Sequence, residues 1–94
     1  QVRELIQIVE RTVPLQFSDI HGAIAERDLE RLGRSLHRLK GCLGNICVGD
    51  VIERLAKFED IVKHPFGVER IAFQIVVIER TVKSLIQCMA KKLQ

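Results

Sequence analysis

Residues Leu36 to Asn45 read L-H-R-L-K-G-C-L-G-N, so a histidine is followed three and four positions later by a lysine and a glycine. An imidazole titrates near neutrality and offers a nucleophilic lone pair at physiological pH. A cation one helical turn away can offset charge on phosphoryl oxygens. A glycine beside it leaves the backbone open to another macromolecule. On one helical face, His37, Lys40 and Gly41 are suited to taking and giving a phosphoryl group and poorly suited to packing.

The element that must carry them is a helix. Leu29, Leu32, Leu36, Leu39, Leu43 and Ile46 recur at spacings of 3, 4, 3, 4 and 3, which is one buried helical stripe. Asp28 is the expected N-cap, and the helix is expected to reach about Ile46. At roughly 100° per residue, Gly33, His37, Lys40, Gly41 and Gly44 form a second stripe, centred roughly 100–120° from the leucines. His37 therefore lies at or outside the margin of the core. Each interior glycine costs a helix about 1 kcal/mol relative to alanine. Two readings of the glycines stand side by side: a partner approaches the backbone beside His37, or the glycines permit close helix packing within the protein.

Ninety-four residues make one small domain with a single core, expected to span 1–94. No window approaches an uncharged apolar run of membrane-spanning length, and no secretory leader is expected. The chain begins with Gln1, as expected of a piece of something longer. Net charge is +3, yet acids and bases alternate along every segment, as on solvated helix faces. A nucleic-acid binder would concentrate its charge and offer stacking aromatics. This chain has no Trp or Tyr, and its four phenylalanines are expected in the core. Cys42, Cys47 and Cys88 include no CxxC pair and read as reduced thiols, not as a disulfide framework. With His21, His37 and His64 they show no recognised metal-ligand spacing. His21, late in its helix, suits the C-terminal dipole, and His64 reads as a loop residue before Pro65.

Every periodic segment has the helical period. A short helix is expected over Val2 to about Arg11. A second follows to about Glu26, capped by Thr12, with Pro14 in its first turn where the missing amide is harmless. After the histidine helix and a break at Cys47–Gly49, a third long helix has Asp50 in its first turn and the stripe Val51, Leu55, Phe58 and Val62. His64-Pro65-Phe66-Gly67 reads as a turn. The last helix, about Val68 to Lys92, repeats Ile71, Ile75, Ile78, Val82, Leu85 and Met89. Its β-branched stretch Phe73 to Ile78 reads as helix buried on two sides, against the bundle and against the short first helix. Short connections make neighbours antiparallel. The fold class is all-α: an antiparallel up-down-up-down four-helix bundle with a short extra N-terminal helix.

These residues resemble the histidine-containing phosphotransfer (HPt) domain of bacterial phosphorelays, whose motif is close to H-x-L-K-G with leucines ending in L-E. Here His37-Arg38-Leu39-Lys40-Gly41 is followed by Asn45-Ile46, Val51, Leu55 and Phe58-Glu59 at matching offsets. Ala23 to Asp28 followed by Leu32 resembles the family's lead-in, and Pro14 falls where members often carry proline. Cys42-Leu43 stands at the family's small pair, one position bulkier than usual, and Cys47 stands where glycine is usual. The resemblance implies that His37 takes a phosphoryl group from a receiver-domain aspartate through Nε2 and passes it to a response-regulator aspartate. It implies Glu59 as the acceptor for Nδ1–H, Lys40 as the cation near the phosphoryl oxygens, and Gly41 and Gly44 as the gap for the partner's loops. Arg34 would join Lys40 or meet the receiver's acidic rim. No cofactor is expected on this domain, and Mg2+ would be held by the receiver. With no phosphate-cradling glycine loop, the chain is expected to be a phosphocarrier without kinase activity of its own. It would be the C-terminal module of a hybrid sensor histidine kinase, cytoplasmic and monomeric when isolated, with receivers as partners and no nucleic acid.

Three other readings fit the residues less well. The dimerisation helix pair of a sensor kinase would follow its histidine with an acid and, soon after, proline, whereas Arg38 follows here and Pro65 is distant. A non-catalytic helical interaction module would not require K-G beside the histidine. A small DNA-binding domain would need a basic helix face, but Arg27, Arg31, Arg34, Arg38 and Lys40 spread around more than half the circumference.

Overall fold

In the computed structural model, which describes residues 2–44, 46 and 49–92, the chain folds into α1 (Val2–Glu26), α2 (Leu29–Leu43), α3 (Gly49–Ile61) and α4 (Gly67–Lys92). No strand occurs among the described residues. Asp28 caps α2 by accepting a hydrogen bond from the Arg31 amide at 3.1 Å, which satisfies one of the donors that a helix start leaves unpaired. The connection before it is tight. Arg27 takes a left-handed conformation (φ 53), while the amides of Asp28 and Arg27 bond back to the carbonyls of Ala23 and Ile24. That pattern closes the C-terminus of α1 and reverses the chain within two residues.

The bundle has four helices, and α1 packs on α2 and α4, which in turn both pack on α3. Neighbours run antiparallel: Asp19 meets Arg31 and Ser35 across α1–α2, and His21 meets Glu79 across α1–α4. One core runs through it, with Val13, Phe17, Ile20, Leu32, Leu36, Leu39, Leu55, Ile71, Ile75 and Val82 removed from solvent. Each such side chain stabilises the fold by about 1.5–3 kcal/mol relative to leaving it exposed.

The separate N-terminal helix does not exist. Residues Val2–Glu26 are continuous, with Pro14 inside. Proline removes one backbone bond, at a cost of about 3 kcal/mol or more. Against that stands an unbroken stripe, Ile6, Val9, Val13, Phe17 and Ile20, buried along the whole helix, while Pro14 itself faces solvent. Continuous packing wins. His21 lies late in α1, as expected, and its Nε2 lies 2.7 Å from Glu79 Oε1.

Smaller expectations also change. The histidine helix ends at Leu43, capped by Gly44, and Ile46 lies in a turn, half-buried. Leu29 is exposed at the mouth of the α2–α3 seam. On α4 the buried line passes through Ile86, leaving Leu85 exposed and Met89 half-buried, because a repeat near 3.5 drifts by about 20° per heptad on a straight helix. Phe17 and Phe58 are core, but Phe66 and Phe73 are exposed. With no separate first helix to cover it, the second side of the Phe73–Ile78 stretch faces solvent. Cys47 and Asn45 lie outside the described residues.

Candidate functional site

His37 follows the buried Leu36 on α2, so packing of the leucine stripe holds it on the flank turned towards α3. Its side chain is 72% exposed. On α3, burial of Phe58 holds the next residue, Glu59, on the facing flank, largely withdrawn from solvent. Glu59 Oε1 lies 3.1 Å from His37 Nδ1, and Glu59 Oε2 lies 2.6 Å from Lys40 Nζ. One carboxylate thus spans the imidazole and the ammonium. An ionised carboxylate only accepts, so the bond to His37 makes Nδ1 the protonated nitrogen. The lone pair is left on Nε2 of an exposed ring.

Arg34 stands apart from this group. It is exposed, its guanidinium lies 4.0 Å from Glu30 one turn back, and it borders a shallow groove of about 440 Å³ with Leu29, Gly33, Glu59, Val62 and Lys63. A Cβ added at Gly33 or Gly41 would meet nothing within 4 Å. These two glycines do no packing within the bundle, and the close-packing reading fails for them. Gly44 acts as the helix cap, its amide bonded to the Lys40 carbonyl at 3.0 Å. His64, exposed in the α3–α4 turn, lies 3.9 Å from Asp60. Among the described residues, no three His, Cys, Asp or Glu side chains gather where they could hold a metal ion. Among the described residues, no helix is long and apolar enough to cross a membrane.

A second polar cluster positions α2, and sequence reasoning did not single it out. Asp19 on α1 accepts hydrogen bonds from Arg31 Nε at 2.9 Å, Arg31 Nη2 at 2.6 Å and the buried Ser35 hydroxyl at 2.5 Å. The Ser35 and Arg31 hydrogen bonds hold the Asp19 carboxyl below its usual range. Gly22 makes room for this arrangement, since a Cβ there would come within 2.9 Å of the Arg31 guanidinium. The signal was present: Ser35 is a polar residue set between Leu32 and Leu39 on the apolar side of α2. The basic residues of this region are mostly engaged as well, Arg27 with Glu69, Arg31 with Asp19 and Glu26, and Lys40 with Glu59.

The histidine on an α2 flank, backed by a carboxylate of α3, agrees with the comparison by sequence: the family model described as Hpt domain matches residues 4–87. The chain belongs to the Hpt domain family. No curated protein and no solved structure matches it. An Hpt domain is a phosphotransfer module of phosphorelays, carries its phosphoryl group on histidine and interacts with receiver domains. The antiparallel bundle found here is the fold of that family.

Proposed function

We propose that this Hpt domain accepts a phosphoryl group on His37 Nε2 from the aspartyl phosphate of a receiver and delivers it to the aspartate of a response regulator. The observation that carries the reading is the Glu59 carboxylate, hydrogen-bonded to His37 Nδ1 and ion-paired with Lys40 Nζ beneath an exposed ring. With the proton kept on Nδ1, the Nε2 lone pair attacks phosphorus. The Nε2–P bond forms as the P–O bond to the donor carboxylate breaks, and that electron pair returns to the donor. The ring becomes a cationic phospho-imidazole, which Glu59 stabilises through the same Nδ1–H bond. Lys40, paired with Glu59 before transfer, is one turn from the incoming oxygens and offsets their charge. Gly41, bare and exposed, leaves the receiver's loops a path to the ring. Arg34 meets the receiver's acidic rim beyond the groove. Mg2+ would be held by the receiver and supply charge neutralisation from that side.

The test incubates the domain with a radiolabelled phospho-receiver. Wild type is expected to acquire acid-labile, alkali-stable label, and His37→Gln none while keeping its helix content by circular dichroism. Label on the His37→Gln variant would place the acceptor elsewhere. No label on wild type with several receivers would favour a helical interaction module instead.

A further inference from the structure

The bundle has a second surface that phosphoryl transfer does not use. Helices α2 and α4 each pack on α1 and α3 but lie diagonally across the bundle, so the outer face of α4 points away from His37. That face is apolar where solvent meets it: Phe73 is 77% exposed, Val77 41% and Val76 38%. Beside it, between α3 and α4, runs a concave groove of about 270 Å³ lined by Phe58, Ile61, Val77 and Ile78, with Arg54 and Lys57 at its rim and no acid in its lining. Such a cleft accepts the side chains of an inserted helix, which a flat lipid surface does not supply.

The groove's own lining carries only basic charge, Arg54 and Lys57, of which Arg54 is paired with Asp50 one turn back. The acids of α4, Glu69 and Glu79, both turn towards α1, where they pair with Arg27 and His21. Glu79 also pairs with Lys83, its neighbour one turn on. Lys57, Arg70 and Arg80 make no ion pair among the described residues. An aromatic and two valines are therefore framed by unpaired cations. A second copy is a poor occupant, because a two-fold contact would set Arg70 and Arg80 of one ridge against the same arginines of the other.

We infer that the α3–α4 groove and the Phe73 ridge form a docking surface for an acidic amphipathic helix of a partner protein, which lays its apolar face over Phe73 and Val77 and its carboxylates against Lys57, Arg70 and Arg80. Because the surface faces away from α2, the helix and a receiver bind together. The inference stands on this surface alone and does not depend on His37.

A displayed library of helical peptides of roughly four turns, with a fixed aliphatic stripe and flanks randomised among Asp, Glu, Lys, Arg and Gln, tests it. Selection on the wild-type domain is expected to enrich Asp and Glu. The selected peptide should shift the amide resonances of Lys57, Ile61, Phe73, Val77 and Arg80 and leave that of His37 in place. Phe73→Ser and Arg80→Glu, both at exposed positions, should each weaken binding by about tenfold, or about 1.4 kcal/mol, with unchanged circular dichroism and unchanged phosphoryl acceptance. Enrichment of basic or neutral flanks, or resonance shifts centred on α2, overturns the inference. So does a wild-type dimer in sedimentation that Phe73→Ser dissociates, which assigns the ridge to self-association. Flotation with phosphatidylglycerol vesicles in place of peptide enrichment overturns it in favour of a lipid surface.

Discussion

At the imidazole of His37 the decisive question is which nitrogen carries the proton, and Glu59 answers it by accepting from Nδ1. Glu59→Ala removes that acceptor and the Lys40 partner together. A hydrogen bond to a charged group contributes about 1.5–3 kcal/mol, so phosphoryl acceptance should slow by about ten- to a hundredfold. Glu59→Gln keeps an accepting oxygen and should retain more of the rate; equal rates in both variants would show that the carboxylate does not hold the ring. At Asp19 the carboxyl is held low by the Ser35 and Arg31 hydrogen bonds. A depressed native value means the unfolded state binds the proton more readily. The stabilisation is therefore present above the ordinary value of 3.8 and is lost as pH falls through it towards the lower native one. Asp19→Asn should flatten the acid limb of a melting-temperature profile in that window; an unaltered limb would mean other carboxylates control it.

The helices depart from sequence expectation where a local signal was overruled or a spacing drifted. Thr12 and Pro14 mark a helix start by local rules, yet α1 passes through them because its stripe from Ile6 to Ile20 packs without interruption. Whether that packing exists depends on α2 and α4, which no window around Pro14 contains. The glycines divide in the same way. Gly33 has open space where a Cβ would be, so Gly33→Ala should raise stability by about 0.5–1 kcal/mol through helix propensity alone. Gly67 begins α4 where the chain passes so close to α3 that a Cβ would collide with the Ile61 carbonyl and the Val62 Cα. Gly67→Ala should therefore destabilise, and a denaturant titration of both variants reads the two signs. A loss at Gly33 would mean that the α2 backbone is held more tightly than its surroundings indicate.

Across the whole molecule, the long pair α1 and α4 and the short pair α2 and α3 build an elongated body of 45 × 22 × 19 Å, with the His37 face and the Phe73 ridge on different sides. Gly41 belongs to the first of these faces. Gly41→Phe should weaken receiver binding without changing helix content, since nothing in the bundle occupies that space; collapse of the fold would assign Gly41 to packing. The chain by itself determined the helical class, the Asp28 cap, the α2 stripe from Leu32 to Leu43, the α3 stripe and the grouping of His37, Lys40 and Gly41. All of these rest on spacings within a few turns, where the 3.6-residue period is the whole argument. Glu59, 22 positions from His37, came to notice only through family resemblance. The tertiary structure alone decided that its two oxygens meet His37 and Lys40, that Asp19 reaches Ser35, that α1 is unbroken and that Phe73 stays exposed. Each of these depends on which distant side chains share a face, and helical periodicity says which face is apolar without saying what will cover it.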